Sequence, residues 1–286
     1  MPIIKLEKIV SELVDIPPAV QIFPKLLQTL RAPESDIEDI TQLIKVDVSL
    51  SSQVLRFAGT SFYGSGSPVN GLVDAIQRIG FRETNRLVTL AAFKNILSKP
   101  LSAYNEKEGE LMQNALATAQ VMHAIGQAVD RDSADLFYTT GLFHGIGKIA
   151  INQYLKNRGL SLYGGDGGSG DSTQVVSIEL ERKTLGFDHA EVGAALLENW
   201  SFASNMTQAI RYQYIPHQNM DQPRLTHALN FASKVGEGFI HAGKARPNFQ
   251  VSSDHLIDIQ LTEEQMQNCM DVAFDEFVKI KEMIHN

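Results

Sequence analysis

Apolar residues along this chain recur three and four positions apart almost throughout, and no stretch sustains the alternation of a half-buried strand. The pattern predicts an all-α protein. VDIPPAVQIFPKLLQTLRAP places Pro17 and Pro18 at a helix entry, puts Val20, Phe23, Leu26, Leu27 and Leu30 on one face and stops before Pro33. Pro24, within its first turns, tightens or kinks it. SDIEDITQLIKVD offers Ser35 as a cap with Glu38 three residues on, then a stripe of Ile37, Ile40, Leu43 and Ile44. Asp47 caps a third helix in SLSSQVLRFAGTSFYG, with Leu50, Val54, Phe57 and Ala58 on its apolar side and Gly64 and Gly66 closing it. NGLVDAIQRIGFRETNRLVTLAAFKNIL reads as two helices joined near Gly80 and Phe81.

Between Lys99 and Gly109 the chain turns polar, with Pro100 and Gly109 as breakers. Two units are expected, residues 1–105 and 106–286. In the second, the spacing predicts a long amphipathic helix over Glu110–Val129 and one or two helices over Ser133–Tyr154. YGGDGGSGDS, residues 163–172, holds five glycines and reads as a flexible loop without the lysine of a phosphate cradle. FDHAEVGAALLENW carries a sharper signal. Asp188 and Glu191 have the spacing of a capping box, Phe187 and Val192 that of a hydrophobic staple, so a helix starts at His189. Thr262 and Gln265 start the last helix in the same way, with Met266, Met270, Ala273, Phe274 and Phe277 as its buried stripe and Asp271, Glu276 and Lys279 facing water.

Composition narrows the function classes. The 286 residues are 43% hydrophobic and 20% charged, which fits a folded globular chain. A net charge of −8 and the lack of any Lys/Arg run argue against a nucleic-acid partner. The single cysteine, Cys269, cannot form an internal disulfide, and no apolar run reaches the roughly 20 residues of a membrane span. A cytoplasmic setting, with no membrane partner, is the expectation.

Two motifs invite chemistry. GLFHGIGKIAI places Gly145, Gly147 and Lys148 close together, but the glycine spacing is wrong for a P-loop, Ile149 follows the lysine and no strand precedes. A metal centre is better posed. Of eight histidines, His123, His144, His189, His217 and His227 fall in or near helices of the second half. A catalytic cation needs several converging His and Asp or Glu ligands with one position left for water, and scattered histidines do not supply them.

VDIPPAVQIFPKLLQTL, DITQLIKVDVSLSSQVLRFAGTSFYGSGSPVNGLVDAIQRIGF, GLFHGIGKIAI and LGFDHAEVGAALLENWSF, in this order, resemble the HDOD domain, a relative of the HD metallophosphohydrolases. The resemblance covers about residues 13–217 and implies a helical bundle followed by a degenerate HD-like bundle, which the residues from His217 on complete. It also implies where a metal would have been. HD enzymes use an upstream helix histidine, a His-Asp doublet and a later aspartate, with further histidines in some branches. Those positions fall here on Asn114, on His144 and Gly145, near Ser233, and around Tyr212, Gln213 and Tyr214. Asn, Gly and Ser offer neither anionic oxygen nor imidazole nitrogen, so the resemblance implies a vestigial site without metal or cofactor. His144 is then a buried residue hydrogen-bonded within a helix pair, and Gly145 and Gly147 allow close helix approach. Gly59 and Thr60 replace an Asn-Ser pair found in many relatives, and a glycine inside a helix costs roughly 1 kcal/mol relative to alanine.

The family implies a regulatory role in signal transduction through a protein partner, with a small ligand as a further possibility. Tyr63, His189 and Trp200 are the candidate ligand or interface residues, Tyr63 and Trp200 on the surfaces joining the two bundles. The rival is a metal-dependent phosphohydrolase or phosphodiesterase with an unorthodox site near His144, recruiting Asp135, His123 or His189.

Overall fold

The computed structural model describes residues 5–12, 37–60, 62–63, 68–162, 178–242, 245–247 and 249–285. The proline-led helix expected over residues 17–32, the turn at Gly64 and Gly66 and the glycine-rich stretch 163–172 lie outside them. No β-strand forms among the described residues; a single bridge pairs Leu101 with Glu106. The fold is all-α. None of the helices is long and apolar enough to cross a membrane, among the described residues.

The chain divides into two compact units, one of Asp15–Asn95 and one of Met1–Val14 with Ile96–Asn286. The break thus falls at Ile96, and the first helix, α1 (Leu6–Glu12), belongs with the later residues. Its buried Ile9 and Val10 and the ion pair of Glu12 with Arg158, at 2.7 Å, hold it there.

The Asp15–Asn95 unit contains α2 (Ile37–Lys45), α3 (Val48–Ala58), α4 (Leu72–Ile79) and most of α5 (Phe81–Leu97). Ile40, Ile44, Leu50, Val54, Phe57, Ile76 and Ile79 bury the faces that the periodicity marks. Asp47 caps α3, accepting from the backbone N–H groups of Ser49 and Leu50 at 2.8 and 3.0 Å. Gly80 joins α4 to α5 with φ +87°, a conformation that side chains disfavour. Gly59 is not inside a helix: α3 ends at Ala58, and a Cβ at Gly59 would meet nothing closer than 3.5 Å. Neither a kink nor a close contact explains it.

In the larger unit follow α6 (Glu110–Val129), α7 (Ala134–Phe143), α8 (Gly147–Lys156), α9 (Ile178–Leu185), α10 (His189–Asn199), α11 (Ser204–Arg211), α12 (Pro223–Ala242), α13 (Ser253–Ile259) and α14 (Glu263–His285). The pattern over Glu110–Val129 predicts an amphipathic helix, but α6 is the centre of the unit, enclosed by α7, α12 and α14. Its small residues explain the difference. Ala115, Ala117, Ala119 and Ala124 present little bulk on any side, so neighbours approach from several directions. At α7 the approach is so close that a Cβ on Gly141 would lie 2.8 Å from the Ala119 Cα.

Both capping boxes form. Asp188 accepts from Ala190 and Glu191 while the Glu191 carboxylate takes the Asp188 N–H at 3.0 Å, and Thr262 and Gln265 exchange the same bonds at 3.2 and 2.9 Å. In α14, Met266, Met270, Ala273, Phe274 and Phe277 are buried, whereas Asp271, Glu276 and Lys279 are half-exposed, the last two as an ion pair. Cys269 is buried on the same helix, and burial pushes its thiol up to about 11.

Candidate functional site

His144 stands at the C-terminal end of α7 and opens the three-residue turn His144–Gly145–Ile146 before α8. It is buried, and its Nδ1–H donates to the Gly141 carbonyl at 2.7 Å. Burial, with the nearby His189 and Lys148 adding to it, lowers its pKa from 6.5 to about 4, so the ring is neutral at neutral pH. Gln213 is fully buried beside it. Its Nε2 donates to the His144 carbonyl at 3.0 Å, and Asn230 of α12 donates to the Gln213 carbonyl at 2.7 Å. Gln213 thus links the turn to α12, through its side chain on one side and its backbone carbonyl on the other.

Gly145 faces Leu111 of α6: a Cβ there would meet the leucine Cδ1 at 3.0 Å. The space into which an aspartate would project is held by an apolar side chain. Gly147 answers a different need. A Cβ on it would lie 2.0 Å from the His189 carbonyl oxygen and 2.6 Å from the Gly193 nitrogen, so α8 crosses α10 backbone to backbone. Close helix approach is built on Gly147 and Gly193, not on Gly145.

The capping box of α10 carries His189 into the interior. Its backbone N–H donates to Glu181 Oε2 at 2.7 Å and its Nδ1 to Glu181 Oε1 at 2.9 Å. A carboxylate only accepts, so Nδ1 carries a proton, and on the other side of the ring Nε2 lies 2.9 Å from the Tyr214 hydroxyl. Burial works against the charge on Glu181, but His189 and its backbone N–H outweigh it and hold the carboxyl below its usual range. Burial and the same carboxylate push the Tyr214 hydroxyl far above its ordinary value, so it remains a donor. Buried Glu181 sits on α9 and Tyr214 just after α11, so the chain of bonds ties three segments together.

Asn114 and Ser233 lie on α6 and α12. Gly236, one turn beyond Ser233, packs on Thr118, one turn beyond Asn114, where a Cβ would come within 2.7 Å of the threonine hydroxyl. The two positions therefore lie near the place where these helices cross. Among the described residues no hydrogen bond joins either to His144, Gln213 or His189; Ser233 donates to the Asn230 carbonyl at 3.1 Å, and the Asn114 Oδ1 is buried without a partner. Tyr63, in the other unit, donates to Glu83 at 2.6 Å and stacks edge-on with Phe62. Trp200 ends α10, its N–H on the Leu196 carbonyl.

A metal of the HD type does not fit these residues. Two imidazoles remain, the outward nitrogen of one is engaged by Tyr214, and Leu111 fills the place beside Gly145. Among the described residues no group of three or more His, Cys, Asp or Glu side chains could hold an ion. The sequence pattern points to His144, His189 and Gln213; it does not single out Glu181, whose role depends on a contact eight residues away across a loop.

Solved structures show the same fold. A putative signal transduction protein of Marinobacter aquaeolei is similar with a TM-score of 0.67 at 21% identity, covering 99% of this chain and 62% of that one. An HDOD domain protein of Geobacter sulfurreducens gives 0.61 at 16% identity over 98% and 92% of the two chains. A putative phosphohydrolase of Shewanella amazonensis gives 0.60 at 18% identity over 95% and 97%. Among curated relatives, an uncharacterized protein of Treponema pallidum is 24% identical over 77% of this chain, which spans 42% of that protein's length. The HDOD domain model matches residues 16–216, well over half of the sequence, and the chain belongs to the HDOD domain family.

Proposed function

We propose that this protein is a non-catalytic signal-transduction module that acts through contacts with a protein partner and has lost the metal chemistry of its HD relatives. One observation carries the reading. The Tyr214 hydroxyl sits 2.9 Å from His189 Nε2, the nitrogen that a metal would need. In metal centres a ligating histidine commonly donates its other N–H to a carboxylate, which fixes the ring. Glu181 does this for His189, so the supporting half of such a site persists while its outward half is satisfied from within the protein. A buried site that is already closed by hydrogen bonds has no open coordination position and no route to a metal-bound water. The neighbour from Marinobacter, named as a putative signal transduction protein, agrees with the regulatory reading.

The Shewanella neighbour, named as a putative phosphohydrolase, states the rival. Elemental analysis of protein purified without chelators, then incubated with manganese, iron or nickel, separates the two. The regulatory reading expects no stoichiometric metal and no turnover of phosphodiesters. Retained metal that disappears in His144→Ala would overturn it.

A further inference from the structure

Helix α1 is separated in sequence from everything it packs on: it precedes the Asp15–Asn95 unit, whereas the helices under it, α8 and α10, follow that unit. It has seven residues, and isolated helices shorter than about 12–15 residues are marginal in water. Its shape therefore depends on its seat. Ile9 and Val10 are its buried residues, with Leu6 half-buried on the same face three and four positions before them. By contrast α7, with ten residues, buries eight. Few buried side chains on a short element are the mark of a segment that opens ahead of the rest of a protein.

The two helices under α1 are joined to each other independently of it, backbone to backbone at Gly147 and Gly193. Just past the end of α8, Arg158 is already aimed. Its guanidinium stands 3.7 Å from the centroid of the Tyr154 ring, and Nη1 donates to the Tyr154 carbonyl at 3.1 Å. Held in this way by α8, the fork makes two bonds to Glu12 of α1, from Nη1 to Oε2 at 2.8 Å and from Nη2 to Oε1 at 2.7 Å. A bidentate pair of this kind fixes geometry. Being part-exposed, it adds little to stability, so it selects what sits there more than it locks it in place.

We infer that the seat on α8 and α10 is a helix-docking site, which α1 fills within its own chain and which an amphipathic helix of a protein partner fills by displacing it. The partner helix carries the chemistry of α1: apolar residues at the spacing of Leu6, Ile9 and Val10, and a carboxylate two positions after the last of them to meet Arg158. Apolar anchors at such spacing are how a helix is read by a groove. The inference rests on the reading of this protein as a partner-binding module, and it gives that partner its recognition element.

Fluorescence anisotropy with a labelled peptide of residues 1–14, added to the full chain, is the test. The peptide is expected to bind the Ile9→Asp/Val10→Asp variant, whose own helix cannot seat, at least about tenfold more tightly than the wild type, because a filled seat lowers the apparent affinity by the fraction that is open. Arg158→Ala in that variant, or Glu12→Lys in the peptide, is expected to weaken binding several-fold. Hydrogen exchange on the wild type gives a reading that needs no variant: α1 amides should exchange at least about tenfold faster than those of α7. A double variant that is folded by circular dichroism yet binds no peptide, or α1 and α7 amides that exchange together, would overturn the inference. A wild-type dimer in light scattering that is lost in the double variant would assign the seat to α1 of a second copy and overturn displacement by a partner. Stoichiometric metal would undo the non-catalytic reading and leave each of these results as it stands.

Discussion

Glu181 and Tyr214 hold opposite nitrogens of one buried imidazole, His189, at 2.9 Å each. Removing either end leaves a buried polar group without its partner, which costs about 1–3 kcal/mol, more where the group is charged. Tyr214→Phe is expected to lower stability by about 1–2 kcal/mol in urea unfolding. Glu181→Gln should lower it further, because the carboxylate serves both the ring and the backbone N–H of His189. The double variant should lose less than the sum, as members of one network do. Strict additivity would show that the two bonds act independently.

Stability should fall on mild acidification because of His144. Its folded pKa, about 4, lies below the unfolded value of 6.5, so the unfolded chain binds the proton first. The stabilisation is present in full above pH 6.5 and is lost as pH falls through about 4. Some 2.5 pH units correspond to about 3 kcal/mol. Glu181, whose folded pKa is also lowered, loses its contribution only below the ordinary carboxylate value of 4.5. Unfolding midpoints measured between pH 7 and 4.5 should therefore drop in the wild type and stay flatter in His144→Gln, whose absolute stability is lower.

Periodicity and capping signals made most of the described helices legible, because they depend on residues a few positions apart. The start at His189, the junction at Gly80 and the span Glu110–Val129 are all of this kind. Burial on every side of α6 was not legible, since alanines do not announce which neighbours they admit. The same limit applied at the site. His144 and Gln213 could be picked out by resemblance, but the hydrogen bond of the Gln213 side chain to the His144 carbonyl spans 69 positions, and the Glu181 clamp on His189 crosses a turn that local pattern does not encode. Gly145 and Gly147 look equivalent in sequence; only the neighbours distinguish a leucine methyl from a peptide backbone.

That distinction gives unequal losses for two alanine substitutions. Gly147→Ala forces a methyl to within 2.0 Å of the His189 carbonyl oxygen, and backbone on both sides must move. A loss of about 3 kcal/mol or more is expected, at the upper end of overpacking effects. Gly145→Ala meets only the end of the Leu111 side chain, which can rotate, and should cost less than about 1 kcal/mol. Thermal unfolding of the two variants checks this; equal losses would contradict the backbone crossing of α8 and α10.

Restoring the missing carboxylate should not restore a metal centre. In Gly145→Asp the new side chain projects toward Leu111, and Tyr214 continues to occupy His189 Nε2. Asn114, Gln213 and Ser233 still supply no anionic or imidazole ligand. The variant is expected to bind no stoichiometric manganese, iron or nickel by elemental analysis and to be less stable than the wild type, because a carboxylate enters an apolar contact. Tight metal binding by this single variant would mean that the cluster around His144 can rearrange into a coordination sphere, and it would return the phosphohydrolase reading to the front.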